Sequence, residues 1–252
     1  MRGVGVGGDF KGRTVVVTGA ASGIGNSVAR YFADRGAHVF GVDLNDSVHT
    51  EMAKFPGGGH QGIAKDLTAP GASGEIVDQV VAAAGKVDIL VNSAGIVLLD
   101  KALELSEQKW EATLAVNLSA SFKMAQAVGK VMTQAGYGRI INLASQASVI
   151  GLDEHVAYCA SKAGIVGMTK VLSMEWAPHG VTVNAVSPTV VETPLGKLAW
   201  AGEKGEALKK QIPTGRFAQP EEVASLIAYL AGEDAGMITG ENILIDGGYS
   251  SI

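Results

Sequence analysis

The sequence predicts a doubly wound α/β fold, a parallel sheet between helices in three α/β/α layers. Three observations predict it. Short apolar, β-branched runs recur from end to end without alternating, which suits strands buried on both faces. Longer stretches with apolar residues at helical spacing lie between them. The first run also breaks at a turn with three glycines just before the first helical stripe. No linker or composition break divides the 252 residues, so a single domain is expected over 1–252.

The elements follow in order. Residues 1–10 carry four glycines, too many for the apolar core of a signal peptide, and read as a flexible arm. Val15-Val16-Val17 forms the first strand, and Val28, Ala29, Phe32 and Ala33 the first helical stripe. Strands follow at Val39–Val42 and, more weakly, at Gly62–Lys65; Ile76, Val77, Val80 and Val81 then form a second stripe. Val87–Val91 is a strand, Trp110 to Thr133 a long helix, and Ile140–Leu143 the next strand. Tyr158 to Ala177 reads as helix, Val181–Val186 as strand, Glu221 to Ala231 as helix and Ile243–Ile245 as the last strand. Residues 188–219 break the alternation with two prolines after Pro188 and several glycines. A connection this long is expected to be a substrate lid, the alternative being a surface excursion with short helices.

Composition narrows the function. Net charge is −5 and the isoelectric point near 5.5, so no electrostatic footprint for nucleic acid or anionic membrane is evident. The single Cys159 excludes an internal disulfide framework and points to a reducing, cytoplasmic setting. The five histidines are dispersed, and their spacing suggests no metal ligand set.

Thr18-Gly19-Ala20-Ala21-Ser22-Gly23-Ile24-Gly25 runs from strand to helix, the pattern of a Rossmann dinucleotide fold. Gly19 allows the tight turn, Gly23 lets the backbone approach a pyrophosphate, and Gly25 lets the helix pack on the strand. The helix N-terminus then offers free N–H groups to phosphate. Asp43 closes the second strand, where an acid meets the adenosine ribose. Against the 2′-phosphate of NADP it would be repelled by about 4 kcal/mol at ~4 Å and an effective dielectric near 20. Leu44 follows, and the glycine turn has no Lys or Arg, so NAD is the expected cofactor. A strand-end Asp capping the next turn is the plainer alternative.

Tyr158-Cys159-Ala160-Ser161-Lys162 sets a phenol and an ammonium on one helix face. A nearby ammonium is expected to lower the phenol's pKa from ~10 toward the range useful for acid–base work. Ser145, thirteen residues upstream, sits at the carboxyl edge of the sheet, where such folds bind ligands. A surface Tyr–Lys pair is the alternative if the motif stands alone.

With these motifs the chain resembles the short-chain dehydrogenase/reductase family. The matches are the glycine turn, Asp66, Asn92-Ser93-Ala94-Gly95, Asn117, Ser145, Tyr158 with Lys162, Pro188 with Thr193, and Asp246-Gly247-Gly248. Ser93, often Asn in the family, and Thr189, often Gly, depart from its pattern. The resemblance implies Tyr158 as general acid/base, Lys162 as its electrostatic and proton-relay partner, and Ser145 as hydrogen-bond donor to the reacting oxygen. Asn117 would hold a water linking Lys162 to solvent. The implied cofactor set is Gly19, Ser22, Gly23, Ile24, Gly25, Asp43, Leu44, Asp66, Leu67, Asn92, Ala94, Gly95, Pro188, Val191 and Thr193, together with Tyr158 and Lys162.

The stretch from Asn184 through Thr193 to Trp200, with Gln146 and His155, resembles the polyol-handling relatives, the L-xylulose reductases and sugar-alcohol dehydrogenases. Gln146, His155 and Glu192 could pair several hydroxyls, and Trp200 could wall the site. His155 and Glu192 could equally be solvated, and Trp200 could simply pack the lid. With Asp43, the expectation is an NAD-dependent polyol dehydrogenase acting on a secondary alcohol of a small sugar alcohol such as threitol or xylitol. A 3-oxoacyl-[acyl-carrier-protein] reductase is the rival, disfavoured by Asp43 and the acidic charge, and a dinucleotide sensor without catalysis is the other class. The resemblance also implies a homotetramer.

Overall fold

The structure, a computed structural model, describes residues 8–251. Seven strands form one sheet: β1 (Thr14–Thr18), β2 (His38–Asp43), β3 (Gln61–Ala64), β4 (Ile89–Asn92), β5 (Gly138–Leu143), β6 (Val181–Pro188) and β7 (Asn242–Ile245). They lie in the order β3-β2-β1-β4-β5-β6-β7, and every neighbouring pair is parallel. The chain runs outward from β1 in both directions, so a crevice opens at the carboxyl ends of β1 and β4.

The strands separate two cores, as continuous apolar runs require. Val15, Val17, Ile89 and Val91 face one layer, built from α1 (Gly23–Ala33), α2 (Ser47–Ala53) and α9 (Pro220–Ala231). Val16, Leu90, Ile140 and Val183 face the other, built from α3 (Ala72–Ala84), α5 (Ala120–Ala135) and α6 (Val156–Trp176). The stripes read from sequence supply the contacts. Val28 and Phe32 of α1 are fully buried, contributing about 1.5–3 kcal/mol each.

Three details depart from the sequence reading. The long helix expected over 110–133 is α4 (Glu107–Leu114) followed by a π-type turn (Ala115–Ser119) and α5. Two short helices, α7 (Pro194–Ala199) and α8 (Glu203–Lys209), occupy the 188–219 excursion, and a parallel bridge between Val191 and Ala218 ties its ends. Phe10 is buried edge-on against Phe32, with ring centroids 4.7 Å apart, so the expected arm does not extend to it; residues 1–7 lie outside the described residues. No described helix is long and apolar enough to cross a membrane.

Candidate active site

The glycine turn leaves β1 and reaches α1 within a few residues, and its glycines are dictated by space as much as by φ. Gly19 has φ +70, and a Cβ there would lie 3.0 Å from the Ala94 backbone. A Cβ on Gly25 would lie 2.2 Å from the Gly19 carbonyl oxygen. Gly23, at φ +58, faces the Thr193 side chain across the crevice. Thr18 Oγ1 accepts the backbone N–H groups of Ser93 and Ala94 at 3.0 and 3.1 Å, strapping the loop after β4 to the end of β1.

A cleft of about 360 Å³ opens there. Gly19, Ser22, Ile24, Gly25, Asp43, Leu44, Asp66, Leu67, Ala94 and Gly95 line it, all members of the expected cofactor set. Lys65, Thr68, Ser93, Ile96 and Val116 line it as well and were not in the expected cofactor set. Lys65 pairs with Glu75. Asp43 is anchored by both oxygens: Oδ2 accepts Ala21 N–H and Oδ1 accepts Asn45 N–H, each at 3.0 Å. It therefore holds the glycine turn and also caps the turn after β2. The Thr68 hydroxyl and N–H bond Asp66 and hold its carboxyl below the usual carboxylate range.

Asn92 corrects the expected set. Its side chain points away from the cleft and donates to Asn142 Oδ1 at 2.9 Å and to the Ser121 carbonyl at 3.1 Å. Asn142 is its register partner on β5, and it donates onward to Thr169 of α6. Val191 also turns its side chain into the core, while the Thr193 hydroxyl accepts Gly196 N–H and caps α7.

The tyrosine, lysine and serine converge beside this cleft. Lys162 is buried and donates from Nζ to the Leu143 carbonyl at 2.6 Å, with Nζ 5.7 Å from the Tyr158 ring centroid. Ser145, two residues beyond β5, is buried and hydrogen-bonds the Tyr158 hydroxyl. The π-type turn carries Asn117 inward to full burial. Its Oδ1 accepts Ile96 N–H at 2.8 Å, and its Nδ2 donates to the Ile96 carbonyl and to Ser161 Oγ. Asn117 Oδ1 and Lys162 Nζ both flank Gly95, the point where a Cβ would fill the space between them.

The electrostatics correct one expectation. Burial pushes the Tyr158 phenol up from its ordinary value, and the Ser145 hydrogen bond offsets part of that. Burial also lowers Lys162 to about 8. Low polarity penalises both charged forms, and Lys162 spends a hydrogen bond on Leu143 rather than on the phenol.

On the substrate side, Gln146 is buried next to Ser145, and its Oε1 has no partner. The His155 ring stands edge-on to Tyr158 with centroids 6.1 Å apart. Glu192 lies 4.0 Å from Lys197, and Trp200 packs edge-on against Phe217 with the Lys204 ammonium over its indole. Among the described residues, no group of three or more His, Cys, Asp or Glu could hold a metal ion.

A parallel sheet with a glycine cradle, a ribose-level acid and a Tyr–Lys–Ser cluster at the sheet's carboxyl edge defines a dinucleotide-dependent redox architecture. The chain belongs to the short-chain dehydrogenase/reductase family. A family profile described as enoyl-(acyl carrier protein) reductase matches residues 19–250. The D-threitol dehydrogenase of Mycolicibacterium smegmatis is 52% identical over 247 residues, covering 96% of this chain and 95% of that protein. The NAD-dependent glycerol dehydrogenase of Listeria innocua is 50% identical over 238 residues, covering 94% of each. A crystal structure provisionally described as an NAD(P)-dependent gluconate 5-dehydrogenase of Beutenbergia cavernae, with NADP at low occupancy, superposes with a TM-score of 0.91. It is 36% identical, and the match covers 97% of this chain and all of that one.

Proposed function

We propose that the protein is an NAD-dependent dehydrogenase that interconverts a secondary alcohol of a small polyol, such as threitol or xylitol, and the corresponding ketose. The observation that carries this reading is the cluster of half-buried Tyr158 with buried Lys162 and Ser145, beside a cleft whose ribose end presents Asp43. The likeness to the threitol and glycerol dehydrogenases supports the substrate class.

NAD fits this cleft: Gly19 and Gly23 leave room for phosphates against backbone N–H groups, and Asp43 faces the adenosine side. When bound there, NAD would supply the hydride acceptor for the carbinol carbon. Tyr158 takes the hydroxyl proton in oxidation and returns it in reduction. Ser145 holds the reacting oxygen and stabilises charge as it develops. Lys162, protonated below about pH 8, stabilises the phenolate and binds the nicotinamide ribose. Asn117 fixes Ile96 and the loop after β4; with both amide donors spent, it can hold a relay water only through an acceptor oxygen. Gln146 offers its unpartnered Oε1 to a substrate hydroxyl, which selects against analogues lacking it. His155, Glu192 and Trp200 complete the polyol wall, and residues 188–219 form the lid.

The assembly in this reading is a homotetramer. Exposed Phe122 on α5, Val171 and Met174 on α6, and Tyr229 on α9 supply apolar surface for subunit contacts. NADH absorbance with purified protein, NAD or NADP, and a panel of small polyols tests the function. NAD-dependent oxidation of one or two polyols is expected. Silence on all polyols with NADPH-dependent reduction of acetoacetyl thioesters would replace this reading with the acyl-carrier-protein reductase.

A further inference from the structure

Glu154 is the only non-glycine among the described residues with a left-handed backbone, at φ +63. Glutamate has no local reason to adopt it, so surrounding structure must impose it, and such outliers cluster at functional sites. The surroundings are specific. The Glu154 carbonyl accepts Asp100 N–H at 3.1 Å, across from the loop that leaves β4. Lys109 of α4 grips that loop from the other side, donating to Asp100 Oδ2 at 2.6 Å and to the Leu99 carbonyl at 3.3 Å. The next residue is His155, whose Nδ1 contacts the Asp153 carbonyl and whose own carbonyl accepts Cys159 N–H at the start of α6.

We infer that Glu154 is a positioning residue: its left-handed backbone latches the two loops flanking Tyr158 and sets His155 against the substrate. The carbonyl can reach Asp100 while the chain still enters α6 in register only because φ is positive at this one residue. The side chain is exposed and does none of this; the backbone does. The inference rests on the reading of His155 as part of the polyol wall.

Glu154→Val and Glu154→Gly form the test. Both remove the same carboxylate, but a β-branched residue opposes a positive φ whereas glycine accepts it. In E154V the KM for the polyol should rise about fivefold or more, while kcat and the NAD dissociation constant stay within about twofold. Backbone amides over 97–103 should exchange about tenfold faster with solvent deuterium. E154G should match the parent in every respect. The inference fails if E154V behaves like the parent or if E154G is equally impaired, since the carboxylate would then be responsible. It also fails if exchange rises with no change in KM, since the latch would then position nothing. Should E154V not fold, Glu154→Thr replaces it. If the parent oxidises no polyol, the functional reading has failed. KM is then taken with whatever carbonyl or alcohol the parent does turn over, and the exchange comparison stands unchanged.

Discussion

At the scale of single residues, the site keeps two ionisable groups in an environment that favours neither charge. Tyr158 is pushed up by burial, so the phenol is protonated at neutral pH. Oxidation needs it ionised and reduction needs it protonated. The oxidation rate should therefore climb from neutral into alkaline pH while reduction declines, as paired pH–rate profiles would read. Tyr158→Phe should cost about a thousandfold or more in turnover, with NAD affinity in fluorescence titration within about twofold of the parent. Lys162 gives a second, independent prediction. Its folded value of about 8 lies below the ordinary 10.5, so the protonated form opposes folding. The cost is complete below pH 8, about 3 kcal/mol, and fades as pH rises toward 10.5. Lys162→Met should gain about 1–3 kcal/mol in urea denaturation at neutral pH, less the hydrogen bond lost at Leu143, with the gain shrinking at alkaline pH.

At the scale of elements, the glycine turn and the helix it feeds are one steric unit. Gly25→Ala would drive a Cβ to 2.2 Å from the Gly19 carbonyl, which neither backbone can yield cheaply. A loss of about 2–3 kcal/mol in stability is expected, with weaker NAD binding, measured by thermal melting with and without cofactor. This turn was legible in the sequence because glycine is the only residue that fits such contacts. The strands were legible for a similar reason: a strand buried on both faces has to be apolar throughout. Side-chain direction was less so. Asn92 belongs to a family motif, yet strand parity sets it on the same face as Leu90, toward α5 and away from the cleft. The π-type turn at 115–119 has no signal in apolar spacing, and it is what brings Asn117 inward. The short α2, α7 and α8 carry too few turns to imprint a stripe. The direction of the Tyr158 shift was missed because spacing places an ammonium nearby but does not report how far burial removes both groups from water.

Across the whole molecule, chemistry and stability sit at opposite edges of the sheet. The carboxyl edge carries the cleft. At the amino edge, Asp88 accepts from Thr14 N–H at 2.8 Å and pairs with Arg13 and Lys86. Arg13 reaches on to Glu233, and both Arg13 and Arg139 stack on Tyr137. Asp88→Ala leaves the buried Thr14 N–H without its acceptor and removes one partner of Arg13, which keeps Glu233 and Tyr137. It should cost about 1–3 kcal/mol in chemical denaturation while kcat and KM, measured well below the melting temperature, stay within about twofold. The far end of the sheet sets a different constraint. β7 seals β6 with residues 242–245, and Gly247 then accepts Thr214 N–H at 3.2 Å, fastening the end of the 188–219 segment. Asp246 holds that corner through the N–H groups of Gly248 and Ser250. The cofactor end of the site is thus built from the first half of the chain, while the substrate segment is fastened by its last few residues.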